Sequence, residues 1–130
     1  MNNKTVLFLF TELSGYVLAC FNYASKNGYN VHVVNYPISS NAPFELEKSE
    51  KKTLFFYNKN HFNTIKKLNN FVLELNPGSI FISGWMDKLY FKFSTEKNNC
   101  FKKILLLDNT WLGSLKQNLW SFYFKYKYKS

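Results

Sequence analysis

Residues 4–10 read "KTVLFLF", Lys4-Thr-Val-Leu-Phe-Leu-Phe10, and this stretch decides the fold class. From Val6 to Phe10 every side chain is apolar, with no alternation. A strand with one wet face alternates, so this run predicts a strand buried on both faces, as in a parallel sheet between helices. Working outward, Tyr16–Asn27 carries Val17, Phe21 and Ala24 at helical spacing, with Cys20 placed on the same apolar face. Gly28 then supplies a C-terminal stop. Tyr29–Tyr36 ("YNVHVVNY") is short, β-branched and closed by Pro37. Ile38–Lys51 is polar, holds Pro43 and three glutamates, and reads as a loop. Lys52–Tyr57 ("KTLFFY") is a third strand.

His61–Leu75 is the clearest helix: Phe62, Ile65, Leu68, Val72 and Leu75 form one stripe with lysines and asparagines opposite. Asn76-Pro77-Gly78 stops it. Ser79–Ser83 ("SIFIS") is again a buried-type strand. Asp87–Lys97 is a weaker helix, Lys102–Leu107 a fifth strand, and Leu112–Tyr126 a last helix carrying Leu115, Leu119, Phe122 and Tyr126. Strand and helix alternate throughout, which predicts an α/β, Rossmann-like doubly wound sheet, mostly parallel. Right-handed crossovers then give the strand order 3-2-1-4-5. At 130 residues, the whole of 1–130 is expected to be one domain.

Aromatic residues make up 20% of the chain and the formal charge is +9. That charge favours anionic partners. The lysines are scattered, at Lys51-Lys52, Lys66-Lys67 and Lys102-Lys103, and no nucleic-acid motif accompanies them, so nucleic acid is not an expected partner. Only residues 121–130 ("SFYFKYKYKS") concentrate basic and aromatic side chains, a composition that suits an anionic membrane surface or a partner domain. Cys20 and Cys100 are too few for a disulfide framework and lack metal-ligand spacing, which points to a reduced, cytoplasmic setting. The apolar run at the start is far shorter than a bilayer span. The expected location is cytoplasmic, with a peripheral position at the inner face of the membrane as the variant the tail allows.

Ligands of such sheets bind beyond the carboxyl ends of the strands where the order reverses, here between strands 1 and 4. The loops to inspect are therefore Thr11–Tyr16, Gly84–Asp87 and Asp108–Trp111. Each also has a plainly structural reading. Ser14-Gly15 can cap the first helix, Asp87 the fourth-strand helix, and Asp108-Asn109 can form a turn and cap. Trp85 and Trp111 beside Asp87, Asp108 and Asn109 form a set that suits a sugar: aromatic faces stack on CH surfaces while acids and amides bind hydroxyls. His32 reads as a packed strand residue and His61 as a surface or capping one. No Ser/His/Asp or Cys/His arrangement and no metal cluster is legible, and no cofactor is called for.

The phrases "NPGSIFISGWMDKLY" (76–90) and "KKILLLDNTWLGSLKQ" (102–117) resemble the amino-terminal half of bacterial GT-B glycosyltransferases of the group-1, family 4 type. Gly78, where an acid is common, and the single Gly15 in the first loop depart from that pattern. The resemblance implies a domain facing a sugar or lipid-linked sugar acceptor in polysaccharide assembly. It carries the acceptor cleft to Gly15, Gly84, Trp85, Asp108, Asn109, Trp111 and Lys116. Ser14 joins the acceptor-binding candidates by its place in the first loop, and Asp108 and Asp87 are the candidate catalytic carboxylates that could orient an acceptor hydroxyl. It also implies a carboxy-terminal domain for the nucleotide-sugar donor, to which nothing in these residues corresponds. The alternatives left open are a flavodoxin- or receiver-like binding module and a basic peripheral membrane protein, neither of them catalytic.

Overall fold

Five parallel strands hydrogen-bond in the order 3-2-1-4-5, as the alternation of elements predicts. The computed structural model describes residues 4–37, 53–83, 87–96, 100–106 and 115–128. In chain order these form β1 (Thr5–Leu9), α1 (Gly15–Lys26), β2 (Asn30–Asn35), β3 (Leu54–Asn58) and a 3-10 helix (Lys59–Phe62). Then come α2 (Ile65–Leu75), β4 (Ser79–Ser83), α3 (Lys88–Thr95), β5 (Lys103–Leu106) and α4 (Leu115–Tyr128). The segment 38–51 that reads as a loop lies outside the described residues.

The unbroken apolar run of β1 is explained by two cores. Leu7 and Leu9 point to one face, where they meet Val34, Ile80 and Ile82 beneath Leu68 and Val72 of α2 and Tyr90 and Phe93 of α3. Phe10 joins Val31, Val33 and Phe21 of α1 on the other face, with Val6 and Phe8 packed beside them. Period-2 geometry sends successive side chains to opposite faces, and both faces here are covered. Each fully buried Leu, Val or Ile contributes about 1.5–3 kcal/mol relative to an exposed one.

Two expectations are corrected. The helix predicted from His61 begins at Ile65: Thr64 is extended, at φ −129° and ψ 152°, and its side-chain oxygen accepts the Lys67 N–H at 3.3 Å. Phe62 belongs instead to the 3-10 helix, which Asn58 caps through the Asn60 N–H at 2.9 Å. The apolar stripe runs straight through this break because Phe62 still packs on the core. Its periodicity therefore hides the break. Thr64→Ala is expected to cost about 1 kcal/mol in urea denaturation, with Thr64→Ser near neutral. The second correction is Cys20, which is exposed. The buried side of α1 is centred on Phe21 and Ser25, and Cys20 lies one residue, about 100°, off that face.

Ser25 is buried for a polar reason. Its hydroxyl meets that of Thr53 at 2.6 Å, fastening α1 to the start of β3. The remaining helix ends follow local chemistry. Gly28 takes φ 84° just after α1, and Asn76 takes the left-handed conformation, φ 46°, before Pro77. Glycine and asparagine tolerate this region best. His32 is a packed histidine, as its strand position suggests. It stacks on Phe55 and Tyr57, and its Nδ1 lies 2.9 Å from the Tyr57 hydroxyl. Burial pushes its pKa below the usual value.

Candidate functional site

The sheet reverses order between β1 and β4, so their carboxyl ends are the edge at which this architecture binds ligands. On the β1 side, Ser14 is the N-cap of α1, with its hydroxyl accepting the Val17 N–H at 3.3 Å. Gly15 opens the helix with nothing within 4 Å of where a Cβ would sit. That glycine is required by no turn; it leaves open space at the helix start. Glu12 beside them is exposed. On the β4 side, Asp87 caps α3, its Oδ1 accepting the N–H groups of Leu89 and Tyr90, both at 2.9 Å. Gly84, Trp85, Asp108, Asn109 and Trp111 lie outside the described residues, and of Lys116 only its place on α4 is described.

At this edge the fold assembles a polar cluster from three different connections. Lys59, directly after β3, places its Nζ 2.9 Å from Asp87 Oδ2. The side chains of this pair are only 9% and 6% exposed. Tyr36, directly after β2, donates its hydroxyl to the same Asp87 oxygen at 2.7 Å and accepts from Lys59 Nζ at 3.1 Å. The ammonium also lies over two aromatic rings, 4.6 Å from the centre of Tyr36 and 5.1 Å from that of Tyr90. Below it, the fully buried Tyr90 hydroxyl reaches the carbonyls of Val34 at 3.0 Å and Phe10 at 3.3 Å. That hydroxyl thus ties the ends of β1 and β2 to the helix following β4.

Asp87 therefore has both carboxylate oxygens committed. Burial pushes its pKa up, but the bonds from Lys59, the Tyr90 N–H and Tyr36 outweigh that, and it ends below the usual value. For Lys59, burial pushes down while Asp87 and Tyr36 push up, and the net shift is upward. Burial, with the Asp87 charge added, raises the Tyr90 phenol and keeps it neutral. An ionised carboxylate holding four donors is poorly placed to take a proton from a substrate, so the geometry gives Asp87 the work of cap and counter-ion. Tyr36, 40% exposed, is the member of the cluster that reaches solvent.

These shifts fix a pH window. A carboxyl lowered on folding contributes stability that is fully present above its unfolded value of 3.8 and lost as pH falls through the folded one. An ammonium raised on folding contributes below 10.5, and that contribution is lost as pH rises through its folded value. The stability gap between the parent chain and Asp87→Asn is thus expected to be level near neutrality and to close in acid. Denaturant titrations from neutral pH down to below 3.8 check this.

A different opening lies at the far, amino-terminal edge of the sheet. It is a shallow depression of about 500 Å³ lined by Leu73, Pro77, Cys100, Phe101 and Lys102, among others. Nothing that the sequence singles out as a site residue lines it.

Of the candidate site residues, the structure places Ser14, Gly15 and Asp87 at the carboxyl edge, on the two connections that flank the switch. Lys59, Tyr36 and Tyr90 were not foreseen. Each sits in an ordinary context, a lysine after a strand or a tyrosine in an apolar run, and no local signal distinguishes them. Compared against family models, curated proteins and solved structures, the chain matches none of them.

Proposed function

We propose that this chain is the acceptor-side domain of a GT-B glycosyltransferase of the group-1, family 4 type. In this reading it holds a sugar or lipid-linked sugar, while a second domain presents a nucleotide-sugar. One observation carries the reading. The two phrases behind the resemblance leave the sheet from neighbouring parallel strands, with Ser83 of β4 paired to Leu106 of β5. The strand ends from which those two phrases continue are thus side by side at the carboxyl edge of the sheet. The two tryptophans, two acids and amide that those phrases carry have the chemistry that sugar recognition uses.

In the proposed mechanism, Trp85 and Trp111 stack on acceptor CH faces and Asn109 bonds its hydroxyls. Asp108 orients the attacking hydroxyl, since Asp87 is engaged with Lys59 and Tyr36. Lys59 and Tyr36 hold the start of α3 and with it the end of the β4 connection. One wall cannot exclude water or stabilise a departing nucleotide diphosphate, so the chain alone is expected to transfer no sugar.

Titrating the isotopically labelled chain with the methyl glycosides of glucose, galactose and N-acetylglucosamine, and separately with UDP-glucose, tests the reading by nuclear magnetic resonance. At least one glycoside is expected to shift amide signals from residues 11–16, 84–88 and 107–112, with Trp111→Ala weakening it about tenfold. UDP-glucose should shift none of them. Glycosides without effect, or binding that ignores the loss of Trp111, would sink the assignment.

A further inference from the structure

The last helix presents a surface that neither the fold nor the proposed acceptor site uses. In α4, Leu115, Leu119, Phe122 and Tyr126 are 84, 71, 77 and 82% exposed. At about 100° per residue these four positions fall within about 60° of arc, one continuous apolar stripe along the helix. Positions 116 and 127, both lysine, lie about 90–110° to one side of its centre, and Lys125 lies about 90° to the other. The helix contains no acidic residue. Among the described residues no helix is long and apolar enough to cross a membrane.

We propose that α4 is an interfacial helix that lies along an anionic lipid surface. Its apolar stripe would enter the boundary between headgroups and acyl chains, with Lys125 at the phosphate level. Three features argue for this occupant. An apolar stripe bordered by the exposed Lys125 is the geometry in which a long cationic side chain reaches the headgroups while its stem covers apolar surface. Tyrosine at one end of the stripe is an amphipathic ring suited to that boundary. The helix charge and the chain's +9 both complement anionic lipid. A second copy of the chain fits less well. Packing stripe on stripe would bring two lysine-flanked, acid-free helices together, and like charges across an interface oppose it.

The test is flotation of the full chain with vesicles, either of phosphatidylcholine alone or of equal parts phosphatidylcholine and phosphatidylglycerol. The chain is expected to float with the anionic vesicles at least about tenfold better than with the neutral ones. That binding should fall as sodium chloride is raised, since exposed charges are screened. The double variant L119E/F122E should lose it. Its circular dichroism should match that of the parent, because both side chains are exposed. Leu73→Glu, at a similarly exposed leucine on α2, should bind like the parent. A parent chain that stays in the buffer, or a double variant that floats with the parent, overturns the proposal. So does a parent that light scattering shows to be a dimer and whose mass halves in the double variant, because the stripe would then be an interface between copies.

Discussion

Asp87→Ala is expected to destabilise the fold by about 3 kcal/mol, the larger of the two main effects foreseen here. Two losses combine. The Leu89 and Tyr90 N–H groups at the start of α3 lose their acceptor, and losing an N-cap costs about 1 kcal/mol. Lys59 then keeps a charge in a site where its side chain is 9% exposed, with its carboxylate partner removed. Breaking a buried pair from one side costs about 3–5 kcal/mol, and this pair's place at the rim of the sheet argues for the low end. Urea denaturation followed by circular dichroism measures it. Asp87→Asn should lose less, because the amide oxygen can still cap. Adding Lys59→Met to Asp87→Asn should restore stability in part, because no uncompensated charge remains. A loss under about 1 kcal/mol for Asp87→Ala would show that the ion pair contributes little beyond the cap.

Tyr90→Phe is the second, expected to cost about 1–3 kcal/mol. The ring volume is kept, so no cavity forms, and the loss isolates the hydroxyl. That hydroxyl is donor to the carbonyls of Val34 and Phe10 at the ends of β2 and β1. The Val34 carbonyl keeps the Phe10 N–H at 2.9 Å, so the penalty falls on the Phe10 carbonyl, a buried acceptor that loses this donor. The effect should appear in stability first. It should also appear as broadened amide signals at residues 10–15, because the end of β1 loses an anchor. A neutral Tyr90→Phe would mean that water replaces the hydroxyl in a site that is fully buried.

Much of this molecule could be read along the chain. "KTVLFLF" and "SIFIS" announce strands covered on both faces, because each apolar side chain needs a burial site whichever way the pleat turns it. The order 3-2-1-4-5 followed from alternation and crossover handedness, both properties of the connections between elements. Asp87 as a cap was legible too, since an acid before an apolar helical run satisfies the first N–H groups locally. Periodicity failed where two answers shared one pattern. Phe62 and Ile65 both face the core, so the stripe could not show that the 3-10 helix and α2 are separate elements. At Cys20, one residue of rotation turned an expected core position into an exposed one.

The polar cluster was not legible at all. Tyr36 precedes Asp87 by 51 residues and Lys59 by 23, and each pairs across the gap only because β3, β2, β1 and β4 end at the same edge. A lysine after a strand looks alike whether water or a carboxylate awaits it. The sequence by itself thus determined the class and the strand order. These depend on how each element buries its own surface. Only the tertiary structure decided that Lys59, Tyr36 and Asp87 meet, and that α4 carries an exposed apolar stripe. Those facts depend on strand register and on which surfaces find a neighbour, and no single element encodes either.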